Sequence, residues 1–195
     1  MKKIFMMLVG ALIWGTTTMM AQNEGTTFML RGGFATNNLV GDDMDDSDML
    51  PGYNVGLEMN NFIKNGLYWN TGILFGSRGY QYEDAFKYRA HNLQIPLTIG
   101  YKYDLGGGFA LDGRIGGFFS VDMAGKYKYD IPLLEDTKIS DIDDYNRCDG
   151  GLLIGIGVWY NNINLDFAYQ RGFGHHIDDF EGAASNFLIR LGYAF

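Results

Sequence analysis

Apolar residues recur at every second position in eight separate windows: Phe28–Phe34, Tyr53–Met59, Leu67–Ser77, Leu93–Tyr103, Phe109–Val121, Cys148–Tyr160, Ile163–Tyr169 and Phe187–Phe195. A period of two is the spacing of one face of a β-strand. No in-register position carries a charge. The faces between them are polar. They hold the bases Arg31, Arg78, Lys102, Arg114, Arg147 and Arg190 and the acids Glu58, Asp112, Asp122, Asp149 and Asp166. Asn54, Asn60, Asn70, Asn92, Gln94, Asn164, Gln170 and Asn186 fill many of the remaining places. A soluble barrel would be apolar inside and polar outside. Two arrangements remain: a sandwich whose apolar faces pack on each other, or a barrel whose apolar faces meet lipid. Turning the charged faces to lipid is excluded, because each Arg or Lys at the midplane costs about 2–4 kcal/mol.

Three features select lipid. First, Lys2 and Lys3 precede an uncharged apolar run from Ile4 to Trp14, long enough for a signal-peptide core and too short to span a bilayer as a helix. Residues 1–21 are expected to be a signal peptide cut after Ala21, and 22–195 a single barrel domain. Second, the connections alternate in length. Asn61–Gly66, Asp104–Gly108 and Asn161–Asn162 are turn-like; Asn37–Leu50, Tyr80–Ala90, Ala124–Tyr145 and Gly172–Ser185 are longer. Short periplasmic turns and long outer loops are the pattern of transmembrane barrels. Third, the last strand ends on the last residue, with Leu191, Tyr193 and Phe195 alternating up to a terminal aromatic. This resembles the C-terminal signal read by the barrel-assembly machinery, an expected partner during biogenesis.

The sequence therefore predicts an eight-stranded, antiparallel, up-and-down transmembrane β-barrel in the outer membrane of a Gram-negative cell. Phe28, Trp69, Tyr101, Tyr103, Phe109, Tyr160 and Tyr193 are expected near the periplasmic boundary, and Phe34, Tyr53, Phe75, Phe119, Tyr169 and Phe187 near the outer one. Removing Lys2 and Lys3 leaves 13 of the 15 basic residues against 23 acidic ones, a net charge of −10. That balance disfavours a nucleic-acid partner, which needs clustered cations. Cys148 is alone, so no intrachain disulfide forms.

Several segments resemble the PorT-like outer-membrane β-barrel domain family. They are Gly66 to Phe75, the Ile95-Pro96-Leu97 strand from Leu93 to Tyr103, the run Tyr145-Asn146-Arg147-Cys148-Asp149-Gly150-Gly151, and the closing Leu191 to Phe195. Cys148 stands where that family more often has an aromatic. The resemblance implies a small, porin-like outer-membrane barrel. The name-giving member acts in protein secretion and gliding, a role most relatives do not share, so a surface or secretion-system partner is one expectation and outer-membrane lipid another.

The inward charges are expected to form a polar plug, with Arg114 paired to Asp112 or Asp149 and Arg147 to Asp122. An eight-stranded barrel is just wide enough for its own side chains, and unpaired buried charges are costly. The alternative is a narrow path for small solutes. Inward Pro96 predicts a bulge or a gap in the ladder. The loops are acidic, with Asp42, Asp43, Asp45, Asp46 and Asp48 in the first and Asp130, Glu135, Asp136, Asp141, Asp143 and Asp144 in the third. They lack the Gly and distal Glu of an EF-hand. No metal site, cofactor or catalytic residue is expected. The nearest to a nucleophilic pair is Ser77 with His91, with Glu83 as the only nearby acid; His175 and His176 lack a third fixed metal ligand.

Overall fold

A computed structural model describes residues 25–40, 47–82, 86–129, 137–138, 147–173 and 183–195. The predicted signal segment, most of the acidic loop residues, Glu83 and the His175-His176 pair lie outside them.

Eight strands form the wall: β1 (Gly25–Val40), β2 (Leu50–Lys64), β3 (Leu67–Tyr82), β4 (Phe86–Gly106), β5 (Phe109–Tyr129), β6 (Cys148–Tyr160), β7 (Ile163–Gly172) and β8 (Ala183–Ala194). Each pairs antiparallel with its sequence neighbour, and β8 pairs with β1, so the sheet closes as a barrel. Two short segments extend the outer end: Ser47–Asp48 pairs with β3 and Thr137–Lys138 with β5. Closure satisfies the backbone polar groups that lipid cannot. The seam runs to the end of the chain, where the Phe195 amide donates to the Phe28 carbonyl at 2.8 Å.

The pairings fix the stagger. Phe28 faces Met59, which faces Thr71, and the path continues through Leu97, Gly117, Leu152, Arg171 and Ser185 back to Asn38 on β1. One circuit from residue 28 to residue 38 is a shear of ten, which in an eight-stranded barrel tilts the strands by about 40°.

The predicted faces hold along the wall except at Ser77, expected outward in step with Phe75 but only 6% exposed. Ile73, Leu97 and Ile115 are 61%, 63% and 63% exposed. Such a surface is stable only against lipid or another apolar surface. The aromatic residues of both predicted bands point outward, and Phe109 and Tyr160 sit in contact across strands with ring centroids 4.8 Å apart. The tight turns lie at the end that carries both strand termini. Asn65 and Gly66 have φ of 50° and 85°, the left-handed pair a two-residue hairpin needs.

The outer ends depart from expectation. Residues predicted as loop over 80–90 and 124–145 are partly strand: β3 and β4 stay paired to Tyr82 and Phe86, and β4 and β5 to Phe86 and Tyr129. Beyond the lipid the outward face becomes polar, but the two-residue alternation persists and still supports a ladder. Pro96 leaves a gap in the β3–β4 ladder between the Thr71–Leu97 and Leu74–Gln94 pairs, with no change of register. Register shifts lie elsewhere: at Met123, between the Asn92–Asp122 and His91–Ala124 pairs, and beside the periplasmic turns at Phe62/Lys64 and Asp104/Gly106.

Candidate functional site: the charged interior

The inward side chains are stacked in layers along the strands. Read from the periplasmic end, β1 presents Met29, Arg31, Ala35 and Asn37, and β5 presents Ala110, Asp112, Arg114, Phe118, Ser120 and Asp122, all buried. Met29, Ala110, Trp159 and Ala194 form an apolar floor. Tyr68 is buried at the same level, its ring against Gly100, where a Cβ would strike it.

The main ionic layer lies above this floor. Arg31 donates to Glu58 and, through Nη2, to Asn164 Oδ1 at 2.9 Å. Arg190 donates to Asp166 Oδ2 from Nε at 2.9 Å and from Nη2 at 2.7 Å, and its Nη1 reaches Asn54 Oδ1 at 3.0 Å. Arg114 Nη2 lies 2.5 Å from Asp166 Oδ1 and Arg114 Nη1 3.8 Å from Asp112. Three guanidiniums thus meet three carboxylates. Arg31, Arg190 and Asp166 are 2%, 1% and 0% exposed. Facing glycines give these side chains room: a Cβ at Gly155 would sit 2.8 Å from Arg114 Cζ, and one at Gly157 2.6 Å from Asp112 Oδ1.

Ala35, Ala168 and Leu188 then form a second apolar cluster. Above it Arg78 bridges two acids, with Nε 2.9 Å from Asp122 Oδ1 and Nη1 2.7 Å from Asp149 Oδ2. Arg78 Nη1 also reaches Ser120 Oγ at 3.2 Å, and the Tyr88 hydroxyl donates to Asp122 Oδ2 at 3.2 Å.

Nine of the eleven charged residues expected inside are buried there: Arg31, Glu58, Arg78, Asp112, Arg114, Asp122, Asp149, Asp166 and Arg190. Two differ. Arg147 is exposed just before β6 begins, where it meets Asp122 through its backbone: the Asp122 amide donates to the Arg147 carbonyl at 2.8 Å. Its parity is inward, but it lies beyond the last paired residue, Cys148. Lys102 is only part-buried, with Nζ 3.8 Å from the centroid of the Trp159 ring at the lower mouth. The expected pairings also change. Arg78, not Arg147, takes Asp122, and Arg78, not Arg114, takes Asp149. Arg114 keeps Asp112 at longer range and gains Asp166, because the shear brings β7 level with β5.

Trp159 and Tyr68 belong to the interior and escaped the sequence reading, although strand parity alone places both inside. Trp159 Nε1 donates to Asp112 Oδ2 at 2.7 Å and so joins the floor to the ionic layer.

Ser77 and His91 are cross-strand partners, as the centred loop predicts. Ser77 is 6% exposed and its Oγ accepts the Tyr53 amide at 3.2 Å. The nearby ladders differ in register, Asn54 facing Gly76 but Asp48 facing Gln81, and the hydroxyl satisfies an amide at that irregularity. His91 Nδ1 lies 3.1 Å from the Tyr53 hydroxyl, and its ring stacks on Phe75. Cys148 is exposed on the outer face. Leu191 and Tyr193 point outward, and Phe195 stacks on Phe28 with centroids 6.4 Å apart.

Neisserial surface protein A has a TM-score of 0.53 at 13% identity, over 88% of this chain and all (100%) of that one. The outer membrane enzyme PagL has a TM-score of 0.50 at 11% identity, over 85% of this chain and 98% of that one. Ail, the attachment invasion locus protein of Yersinia pestis, has a TM-score of 0.48 at 16% identity, over 88% and 99%. At these identities the likeness to the first two is one of fold alone. No curated protein sequence matches the chain. The family model for the outer membrane protein beta-barrel domain matches residues 20–178, and the chain belongs to that family of outer-membrane barrels.

Proposed function

We propose that this protein is a sealed outer-membrane barrel with a structural or interaction role exercised at its outer end, in contact with lipid or a surface protein. The observation that carries this reading is the packed interior. Arg31, Glu58, Arg114, Asp166 and Arg190 form one ion-paired layer over a floor of Met29, Trp159 and Tyr68, all buried. A conducting lumen needs a hydrated path, and an eight-stranded barrel holding this many paired, buried side chains supports a filled cross-section instead. The resemblance to PorT-like barrels supports an interaction role, and Leu191, Tyr193 and Phe195 fit recognition by the assembly machinery. The N-terminal signal segment belongs to the same reading.

A narrow, low-flux path for small solutes is the second reading. It is favoured by buried polar atoms without a hydrogen-bond partner among the described residues, including Arg31 Nε, Arg78 Nη2 and Asp112 Oδ1; such groups usually meet water. A lipid-processing enzyme is disfavoured, because Ser77 is buried away from the lipid face and His91 Nδ1 lies against the Tyr53 hydroxyl. Planar-bilayer recording tests the proposal. A sealed barrel gives no reproducible unitary step, whereas a step that recurs at one conductance overturns the sealed reading in favour of the channel.

A further inference from the structure

Between its two charged layers the interior changes character. Leu188 pairs with both Ala168 and Ala35, and the three form one apolar cluster. The stagger of the strands brings Leu74 on β3, Phe118 on β5 and Leu153 on β6 within about one residue's rise of Leu188. All of these side chains are buried, and together they make an apolar girdle around the lumen. Asn54 is the polar side chain at this height on β2, and its Oδ1 is taken by Arg190 Nη1 from below at 3.0 Å.

Toward the outer end, amide side chains follow: Asn37 on β1, Gln94 on β4, Gln170 on β7 and Asn186 on β8. Asn37, Gln94 and Gln170 are each 2% exposed. Asn37 Nδ2 donates to the Leu50 carbonyl at 3.1 Å, and Asn186 Nδ2 to Gln170 Oε1 at 3.5 Å. Among the described residues, the other ends of these three amides find no hydrogen-bond partner. They are Asn37 Oδ1, Asn186 Oδ1 and Gln170 Nε2; Gln94 Nε2 and, from the layer above, Arg78 Nη2 are in the same position.

A buried amide end without a hydrogen bond is costly. In the ionic layer below, charge offsets poor hydrogen-bond angles: Arg114 Nη2 and Asp166 Oδ1 also lack such a bond, yet lie 2.5 Å apart in an ion pair. Neutral amides have no such offset. β4 and β8 stand on opposite sides of the closed ring, so these donors and acceptors converge on the lumen from both walls. That lining suits a small neutral molecule that both donates and accepts. Water, which takes two to four polar partners when buried, is the smallest that fits.

We propose that Asn37, Gln94, Gln170 and Asn186, with Arg78, form a buried binding site for a cluster of water molecules, and that the girdle of Leu74, Phe118, Leu153 and Leu188 stops this water short of the ionic layer. This rests on the sealed-barrel reading and names the residues that make the seal. The site fills from the outer side. There the next layer, Arg78 with Asp122 and Asp149, is itself polar. Toward the periplasm the girdle is apolar, and a narrow apolar constriction excludes water.

The test follows deuterium uptake by side-chain amides, resolved by NMR, after the full-length barrel in phosphatidylcholine vesicles is transferred to heavy water. The Gln94 and Gln170 amides are expected to exchange at least about tenfold faster than that of Asn70, which lies below the girdle beside Glu58 and Asn60. Leu74→Ala with Leu188→Ala opens the girdle and touches no hydrogen-bond partner of Asn70, so it should bring Asn70 to within about threefold of Gln94. Leu74→Met with Leu188→Met conserves volume and should keep the wild-type contrast. Slow exchange at Gln94 and Gln170 in wild type overturns the water site. Fast exchange at Asn70 in wild type, or an Asn70 rate that the Ala pair leaves unchanged, overturns the girdle as the barrier. If the Ala pair gives no heat-modifiable barrel, Leu188→Ala alone is read the same way. Planar-bilayer conductance of the wild-type sample reports separately on the sealed reading: a silent barrel with slow Gln94 and Gln170 exchange fails this inference alone.

Discussion

The barrel uses arginine in two opposite ways. Inside, Arg31, Arg114 and Arg190 meet Glu58, Asp112 and Asp166 in equal number, at zero to a few per cent exposure. On the outer extension, Arg89 and Lys126 face each other across a strand pair, with exposed side chains. Burial accounts for the difference. An enclosed charge without a counterion is costly, so the main ionic layer is matched carboxylate for guanidinium, and above it Arg78 bridges two acids. At the rim, water and salt screen like charges, so the opposed Arg89 and Lys126 are tolerated there.

The largest effect that would break this comparison is expected at Asp166. Asp166→Ala strips Arg190 and Arg114 of their nearest carboxylate and should cost about 3–5 kcal/mol in urea unfolding from lipid vesicles. Gly100→Val forces a side chain into the Tyr68 ring and should cost about 1–3 kcal/mol in the same assay. Trp159→Phe keeps most of the floor but removes the donor to Asp112. It is expected to cost about 1–2 kcal/mol, by leaving a buried carboxylate oxygen unsatisfied. The smallest effect sharpens the other side of the comparison. Lys126→Ser removes a like-charge opposition from Arg89 and should stabilise the barrel by about 0.2–1 kcal/mol at low salt. That gain should fade as salt is added to the unfolding buffer.

Within the lipid, the sequence is easy to read because the bilayer imposes a strict rule: every outward residue must be apolar, so Leu93, Ile95, Leu97 and Ile99 declare their strand directly. Beyond the lipid that rule lapses. Phe86-Lys87-Tyr88-Arg89 and Lys126-Tyr127-Lys128-Tyr129 stay paired, but here Tyr88 is the buried residue and Arg89 and Lys126 the exposed ones, and a search for apolar outward faces takes these segments for loop. The inward charges were legible as a set and not as pairs. Which carboxylate reaches Arg114 depends on the axial offset between β5 and β7, a consequence of the shear, and no local window of residues contains it. Arg147 shows the same limit at the rim, where parity is inward but the wall has ended. Trp159 and Tyr68 were hidden because aromatics also crowd the outward band beside them, at Tyr160 and Trp69.

The most direct test of a sealed interior with a charge-matched ionic layer is a double-mutant cycle between Arg190 and Asp166, using Arg190→Leu, Asp166→Leu and both together, unfolded by urea from vesicles. The account predicts that each single change is strongly destabilising, and that the double change costs less than their sum by about 2–3 kcal/mol. Additive changes, each below about 1 kcal/mol, would mean that water screens these charges and that the lumen is open.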